Sequence, residues 1–190
     1  MSTRPLELNE YKEIMNLITS GFNYMENNKE KKFRANKKLY LALTLQANLG
    51  LRIGDVLSLT ANNFRNGKLI ITEDKTEKMQ NREVNSNIIE LVKDYAINEG
   101  IKANDMLFKR LSVRAVQKQL KIVCDYLGLS NISTHSFRKM YAVTIYENNN
   151  NNIELVKEVL NHSSIATTQR YIRVRQKEIN EASKNVNMIV

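Results

Sequence analysis

The sequence predicts a mainly α-helical protein that carries one small antiparallel β-sheet in its first half. Glycine and proline are scarce, with six and one among 190 residues, and this scarcity permits long helices. Apolar residues recur at helical spacing along most of the chain. A short run rich in leucine and isoleucine, directly behind an Asn-Gly pair, is instead typical of a strand that follows a turn.

The first third of the chain alternates between apolar and polar segments. Residues 8–18 show helical spacing, and Asn9 is the predicted N-cap. Residues 23–36 are polar and charged, which predicts a loop. Residues 39–49 are strongly apolar and predict a buried helix that Gly50 ends, because glycine adopts the left-handed conformation without strain.

The sheet is predicted from residues 68–72, which follow Asn66-Gly67, and from a second strand over 82–85. The asparagine run over 148–152 predicts a solvated linker between two helices. Further helices are predicted over 53–60, 86–98, 112–127, 135–147, 153–160, 165–171 and 175–187.

Positive charge is concentrated in two short segments. The formal net charge is +9 and the pI is near 9.6. Residues 29–38 hold six lysine or arginine residues against one glutamate, and residues 102–121 hold six against one aspartate. Two basic patches are typical of a surface that binds a polyanion such as a nucleic acid. The alternative interpretation is a basic surface that serves solubility alone.

The cysteine and histidine content limits the possible chemistry. The single cysteine, Cys124, excludes a disulfide framework and a multi-thiolate metal site within one chain. With only two histidines, neither a catalytic zinc site nor another cofactor is expected. Cys124 has apolar neighbours, which predicts a buried thiol in a reducing compartment. Because no membrane span or signal peptide is evident, we expect a cytoplasmic protein without membrane contact.

Four short segments carry residues suited to chemistry, and each has a simpler structural explanation. Arg52 follows the end of a predicted buried helix, and Asp55 lies three residues further on. An arginine held rigid by this aspartate could bind two phosphate oxygens through its planar guanidinium. The two residues could equally form a plain structural ion pair.

His135 and Arg138 lie three residues apart on a predicted helix, so that they would share one face. Ser133 or Thr134 would cap that helix, and its dipole would favour an anion bound nearby. The alternative is a surface histidine and arginine that share no role.

The other two segments are Leu160–Ser164, with Tyr171 nine residues after His162, and the polar turn Asp74–Lys78. A single tyrosine is most often a packing residue. A lysine in a hairpin turn, such as Lys75, is most often only solvated.

Taken together, these segments resemble the tyrosine recombinase (phage integrase) family. The matching stretches are GLRIGDVLSLT, ITEDKTEK, THSFRKMYA and LNHSSIATTQRYIRV, which span roughly residues 35–175. The family usually has glycine where Asn161 stands, and asparagine also tolerates the left-handed conformation at a helix end. The resemblance implies a mainly α catalytic domain with a small antiparallel sheet, the fold shared with type IB topoisomerases. The residues that follow the family's order are Arg52, Lys75, His135, Arg138, His162 and Tyr171.

The resemblance implies phosphoryl transfer without metal or ATP. Tyr171 would attack a DNA phosphate and form a 3′-phosphotyrosyl link with release of a 5′ hydroxyl. Arg52 and Arg138 would bind the non-bridging oxygens, and His162 would donate a further hydrogen bond to them.

The proton transfers are also assigned by the resemblance. His135 would accept the proton of the tyrosine, and Asp55 would orient Arg52 and His135. Lys75 would protonate the departing 5′ oxygen, or Lys78 would do so in another register of the turn.

DNA recognition is expected from the predicted helix over 112–127. Arg114, Lys118 and Lys121 lie along one of its sides, and in the family a helix at this place enters the major groove. Arg114 would read base edges, whereas the two lysines would hold phosphates. The expected partner is double-stranded DNA, which places the protein at the nucleoid.

Residues 1–175 are predicted to form the catalytic domain, and residues 176–190 a C-terminal helix or tail. The tail has apolar residues at helical spacing, which would pack on their own domain or, as often in the family, on a neighbouring protomer. Exchange of this kind implies a tetramer on DNA, and a monomer is the separate expectation for the chain in solution. The apolar residues of the tail are Ile179, Ala182, Val186 and Ile189.

No N-terminal core-binding domain is expected. Most family members carry a separate DNA-clamping domain, whereas here only about 35 residues precede the buried helix. The chain resembles the short DNA invertases of fimbrial switches, or it acts with a second protein or domain.

Site-specific recombination, by integration, excision or inversion, is therefore the predicted function. A type IB topoisomerase performs the same chemistry within one duplex, but the short chain and His162 disfavour it. A non-catalytic DNA-binding regulator derived from an integrase is disfavoured by the complete set of six residues.

Overall fold

A strongly apolar helix, α2 (Lys37–Leu49), forms the centre of the protein. The computed structural model describes residues 3–74, 77–172 and 183–186. The side chain of Asn36 accepts the Leu39 N–H at 2.9 Å and caps the start of α2. Gly50 ends the helix in the left-handed conformation at φ 62°, as predicted. Leu41, Leu43 and Leu45 are almost fully buried, because other helices surround α2 on several sides.

Helix α1 (Leu8–Ser20) packs on α2 through Ile14 and Ile18. The predicted N-cap, Asn9, is wrong, because the N-cap is Glu7, two residues earlier, and the helix begins at Leu8. Glu7 and Glu10 form a reciprocal capping box, in which the Glu10 carboxylate accepts the Glu7 N–H at 2.9 Å.

A hairpin of β1 (Phe22–Glu26) and β2 (Lys29–Phe33) follows. The predicted loop over 23–36 is therefore wrong for most of its length. Asn27 and Asn28 have φ 53° and 59°, the backbone of the turn that matches the twist of a two-stranded hairpin. Phe22 pairs with Phe33 at a ring-centroid distance of 5.0 Å and anchors the open end of the hairpin.

Helix α3 (Ile53–Leu57) is shorter than predicted, and a 3₁₀ turn over Ala61–Asn63 leads into a three-stranded antiparallel sheet. Its strands β3 (Phe64–Arg65), β4 (Lys68–Thr72) and β5 (Met79–Glu83) lie in chain order. The prediction of β4 is confirmed. Strand β5 begins three residues before the predicted position, because polar residues pair there with the apolar β4.

The remaining helices lie within two residues of the predicted bounds. They are α4 (Ser86–Asn98), α5 (Val113–Tyr126), α6 (Thr134–Asn148), α7 (Ile153–Val159) and α8 (Ile165–Gln169). Each begins behind an asparagine or serine whose side chain accepts a backbone N–H. The asparagine run between α6 and α7 is a turn, as predicted. The predicted helix over 175–187 lies mostly outside the described residues.

Apolar side chains form a main core around α2 and a small second cluster. Cys124 lies in the main core, as predicted, and burial raises the pKa of its thiol to about 12. The second cluster joins α6 to α7 and its C-terminal end through Ala142, Val156 and Leu160, with Tyr171, which follows α8, packed against it. Among the described residues, no helix is long and apolar enough to cross a membrane.

Candidate active site

Arg138 of α6 is fully buried at the junction of the two apolar clusters. Its Nη1 donates to the Gly50 carbonyl at 2.6 Å, and its Nη2 donates to the Leu160 carbonyl at 2.7 Å. The same Nη2 lies 3.2 Å from Nε2 of His162. Its Nε is buried and has no hydrogen-bond partner among the residues that the structure describes. Two helix ends and a histidine therefore fix the guanidinium from three sides.

The close approach of α2 and α6 explains why Gly50 supplies one of these carbonyls. A Cβ at Gly50 would lie 2.3 Å from Cδ1 of Tyr141, which only glycine avoids. Arg82 of β5 closes the same junction, because it donates to the Tyr141 hydroxyl and to the Leu49 carbonyl. Arg82 is outside the motifs from which the site was predicted.

His162 lies just beyond α7 and is 5% exposed. Asn161 precedes it in the left-handed conformation, at φ 57°, as predicted. Nδ1 of His162 lies 3.0 Å from Oγ1 of Thr168, a fully buried residue of α8. Burial lowers the pKa of His162 from 6.5 to about 4, and the positive charges of Arg138 and Arg52 contribute to this shift.

Tyr171 is half-buried directly behind α8 and faces His162. The two rings meet edge to face, with centroids 5.2 Å apart and planes at 88°. The Tyr171 N–H donates to the Thr168 carbonyl at 2.8 Å, so the short helix fixes the position of the tyrosine. Nζ of Lys139 lies 5.4 Å from the centroid of the Tyr171 ring, which adds a cation–π contact.

Arg52 stands at the N-cap of α3, with its side chain 21% exposed. The predicted partner, Asp55, lies 4.0 Å away. The nearer partner is Glu73, whose fully buried carboxylate accepts a hydrogen bond from Arg52 and another from Gln80. Arg52 is therefore held mainly by Glu73, an acid that was not among the predicted site residues.

The sequence did contain a signal for Glu73. Side chains alternate between the two faces of a strand, and Leu69 and Ile71 of β4 face the core. Continuing that alternation by two residues places Glu73 on the core side. A buried carboxylate requires a cation or hydrogen-bond donors, and this requirement points to a neighbouring arginine.

Besides its ion pair with Arg52, Asp55 makes a contact that was not predicted. Its Oδ1 accepts the Asp74 N–H at 3.1 Å, which fixes the chain where the β4–β5 connection begins. Its Oδ2 is buried and has no hydrogen-bond partner among the described residues. Burial raises the pKa of Asp55, and the negative charge of Glu73 acts in the same direction.

Positive charge is concentrated where Arg52 and Arg138 approach His162. Burial lowers the pKa of Arg138, and the charge of Arg52 lowers it further, whereas Tyr171 and Glu73 oppose both effects. A phosphate diester at this place would relieve the repulsion between the two guanidinium groups. The arrangement is therefore suited to bind an anion beside the Tyr171 ring.

The other predicted site residues are placed differently. His135, in the first turn of α6, is exposed, whereas Arg138 is fully buried, so their predicted common face is divided between solvent and interior. Lys75 lies outside the described residues. Lys78 is exposed, and its charge contributes, after that of Lys157, to a lowered pKa of Glu158 in α7.

Arg114, Lys118 and Lys121 are exposed along one side of α5, as the sequence pattern predicts. Lys121 forms an ion pair with Asp125 at 2.8 Å, whereas the charge of Lys118 reaches Glu26 at the tip of the β1–β2 hairpin. Within residues 3–74, 77–172 and 183–186, no cluster of three or more histidine, cysteine or acidic residues could hold a metal ion.

Comparison with known proteins agrees with this arrangement. The model of the phage integrase family matches residues 5–178. The tyrosine recombinase XerC of Caldanaerobacter subterraneus is 29% identical over 187 residues, which are 93% of this chain and 49% of that protein. The probable integrase/recombinase YoeC of Bacillus subtilis is 30% identical over 156 residues, 78% of this chain and 84% of that protein.

The same fold occurs in the crystal structure of the XerH site-specific recombinase bound to a palindromic difH substrate in a post-cleavage complex. The TM-score is 0.73 at 21% identity, and the match covers 95% of this chain and 52% of that one. The chain thus spans about half the length of the XerC and XerH proteins it matches. Since the family model covers nearly the whole sequence, the chain belongs to the phage integrase family.

Proposed function

We propose that this chain is a tyrosine recombinase that cuts and rejoins double-stranded DNA at specific sites through a covalent bond to Tyr171. The observation that carries the proposal is the convergence of Arg138, His162 and Tyr171. The arginine lies 3.2 Å from the histidine, and the ring centroids of the histidine and tyrosine are 5.2 Å apart. The names of the relatives support the same activity.

In the proposed cleavage step, the Tyr171 oxygen forms a bond to phosphorus and the bond from phosphorus to the 5′ oxygen breaks. Arg52 and Arg138 bind the non-bridging oxygens, where negative charge is spread in the transition state. The Nε of Arg138, which has no hydrogen-bond partner in the described part of the chain, is a donor available for this purpose. His162 donates a hydrogen bond to the same phosphate.

The proton transfers follow from the family resemblance. His135 accepts the proton of the tyrosine hydroxyl, and Lys75 gives a proton to the departing 5′ hydroxyl. Attack of a 5′ hydroxyl on the phosphotyrosine reverses the step, so the energy of the broken bond is kept and no ATP is required. Exchange between two duplexes occurs in a tetramer of initially monomeric chains, at the nucleoid in the cytoplasm.

A covalent-trapping assay tests the proposal. Nicked duplexes that tile the DNA around the gene are incubated with the wild-type protein and with Tyr171→Phe. The expected result is a protein–DNA band that resists SDS, forms on one set of duplexes and is absent with the phenylalanine variant. Tight binding without such a band on any duplex would instead indicate a DNA-binding regulator. Relaxation of supercoiled DNA without a defined site would indicate a topoisomerase.

Sequence recognition is assigned to α5. Arg114 is proposed to read base edges, and Lys118 and Lys121 to hold phosphates. Arg114→Ala should relax the sequence preference of binding, at about 1–3 kcal/mol for one bidentate base contact. Lys118→Ala should weaken binding to all sequences alike and reduce the salt dependence by about one phosphate contact. Equal effects of the two variants on specific and random duplexes would refute the assignment.

A further inference from the structure

Thr168 contacts two of the residues that the proposed reaction places at the phosphate, His162 and Tyr171. Its side chain is fully buried in α8. Its Oγ1 lies 3.0 Å from Nδ1 of His162, and its carbonyl accepts the Tyr171 N–H at 2.8 Å. A threonine hydroxyl in a helix often bonds to a carbonyl of the preceding turn, whereas here it contacts an imidazole.

The contacts of His162 determine which of its ring nitrogens carries the proton in the free protein. A guanidinium has donors only, so Nε2 of His162 must accept the hydrogen bond from Nη2 of Arg138, 3.2 Å away. The imidazole is neutral near pH 7, because its pKa is lowered to about 4. A neutral ring has one N–H, which is therefore at Nδ1 and donates to Oγ1 of Thr168.

This protonation state does not suit the proposed reaction. The nitrogen that faces Arg138, and hence the anion site, is Nε2. For His162 to donate to a phosphate from Nε2, the ring must lose its proton at Nδ1 and gain one at Nε2. The Nδ1 lone pair then requires a donor in an interior where Thr168 is its neighbour.

A hydroxyl meets both requirements, because it accepts a hydrogen bond through a lone pair and donates one after rotation about the C–O bond. A carboxylate or a backbone carbonyl at the same place would accept only and would keep the proton at Nδ1. A second proton on the ring is opposed by its burial and by the charges of Arg138 and Arg52, all of which lower the pKa of His162.

We infer that Thr168 is a positioning residue whose hydroxyl changes from acceptor to donor when a phosphate binds beside Arg138, which allows His162 to present an N–H from Nε2. The ring stays neutral, since one N–H bond breaks at Nδ1 and one forms at Nε2, with solvent exchanging the proton. The phosphate oxygens take over the donors of Arg138 that had faced Nε2. This inference rests on the proposed function for the identity of the anion.

The first test measures the position of the proton directly. The chain has only two histidines, so protein labelled with isotopic nitrogen in histidine gives two sets of ring signals in NMR spectra. Assignment uses His135→Gln, which removes one set. In the free wild-type protein, the His162 signals should show the proton at Nδ1, and inorganic phosphate at saturating concentration should move it to Nε2. A free protein with the proton at Nε2, or signals unchanged by phosphate, would overturn the inference.

The second test uses matched variants in the covalent-trapping assay. Thr168→Val keeps the shape and the branched Cβ but removes the hydroxyl, whereas Thr168→Ser keeps the hydroxyl. The valine variant should form the covalent complex about 10-fold to 100-fold more slowly, because a buried ring nitrogen loses its partner. The serine variant should remain within a few-fold of the wild type. Equal rates for the valine and serine variants would contradict the role of the hydroxyl.

The two tests separate this inference from the proposed function. If the wild-type protein forms no covalent complex on any duplex, the proposed reaction fails, while the NMR spectra still decide where the proton lies. If the wild-type protein cleaves DNA and the valine variant does so equally fast, only the role of Thr168 fails. Should the valine variant be unfolded, the spectra of the wild-type and serine proteins decide the question.

Discussion

The surroundings of Arg138 and of Arg52 differ, although both arginines are proposed to bind the same phosphate. Arg138 is fully buried, and its guanidinium contacts the carbonyls of Gly50 and Leu160 and the ring of His162, all uncharged partners. Arg52 is partly exposed and is bound to a carboxylate, that of Glu73.

The difference separates two ways to hold a cation in place. Around Arg138, backbone dipoles fix the guanidinium while its charge remains largely uncompensated, which favours an incoming anion. Around Arg52, a buried acid compensates the charge, so that a phosphate must share the arginine with Glu73. The position of the Arg138 guanidinium therefore depends on how the surrounding helices pack, whereas the position of Arg52 depends on its ion pair with Glu73.

Replacing each arginine by lysine should give the largest contrast. One ammonium cannot reach both carbonyls that Arg138 spans, so Arg138→Lys should lose about 1–3 kcal/mol of unfolding free energy per orphaned carbonyl. Its covalent-complex rate should fall on the order of 10²–10³. Arg52→Lys keeps a cation beside Glu73 and should lose about 1 kcal/mol or less of stability. Urea unfolding measures both variants, and equal losses would remove the proposed distinction.

Gly50→Ala should disturb the surroundings of Arg138 and leave those of Arg52 unchanged. The added Cβ would lie 2.3 Å from Tyr141 at a residue with φ 62°, so overpacking and the left-handed backbone together should cost about 3 kcal/mol. Gly128→Ala is the matched control, because Gly128 has φ 68° and nothing within 4 Å of its Cβ position. The difference in melting temperature between the two variants isolates the contact with Tyr141. Similar losses for both would show that the α2–α6 approach is more tolerant than the geometry indicates.

Lowering the pH should destabilise the protein through His162. Its pKa is about 4 in the folded protein against 6.5 ordinarily, so between these values the unfolded chain binds more protons and stability falls as pH falls. The shift corresponds to about 3 kcal/mol. The raised pKa of Asp55 acts with the opposite sign, because there the folded chain takes up its proton first.

His162→Gln isolates the histidine contribution, because glutamine does not titrate. The unfolding free energy of this variant should depend less on pH between 6.5 and 4 than that of the wild type. His135→Gln removes the other histidine and serves as the parallel measurement. A wild-type pH dependence matched by the His162→Gln variant would mean that the imidazole is not held neutral.

The sequence predicted those parts of the fold and of the site whose residues follow a clear pattern, and it missed those without one. Strong apolar periodicity predicted α2, α4 and β4, and the order of the motifs singled out Arg52, Arg138, His162 and Tyr171, whose catalytic roles stay predictions. The β1–β2 hairpin escaped prediction because β2 is almost entirely charged and only Phe33 at its end is buried. Its signal was the Asn27-Asn28 pair, which two-residue hairpin turns favour.

Within the site, the sequence could not rank alternative partners of one side chain. Asp55 was selected because it lies three residues from Arg52, whereas the nearer acid, Glu73, lies directly after β4 and 21 positions away from Arg52. Spacing along a helix is visible in a sequence, but pairing between a helix and a strand is set by how they pack. The roles of Lys75 and of the C-terminal tail remain predictions, since neither is fully among the described residues.

Removing the charge of Glu73 should test whether the ion pair with Glu73 holds Arg52 in place. Glu73→Gln leaves Arg52 without its bound carboxylate and should cost about 2 kcal/mol of unfolding free energy, which is less than for a fully buried pair because Arg52 is 21% exposed. Asp55→Asn removes the same charge from a residue of similar burial, but Asp55 lies 4.0 Å from Arg52 and its pKa is raised. This control should therefore cost clearly less.

Exchanging the acid and the amide between positions 73 and 80 tests the same ion pair more closely. The expected change in unfolding free energy is the smallest of those predicted here. Gln80 donates to Glu73, so the double variant Glu73→Gln with Gln80→Glu keeps one acid and one amide at the same place. Because Gln80 also accepts from Arg82 at 3.1 Å, the moved charge would lie between two arginines. The double variant should regain about 1 kcal/mol relative to Glu73→Gln, as a partly exposed ion pair predicts. A double variant no more stable than Glu73→Gln would show that Arg52 is held by the exact geometry of Glu73 rather than by a negative charge in this pocket.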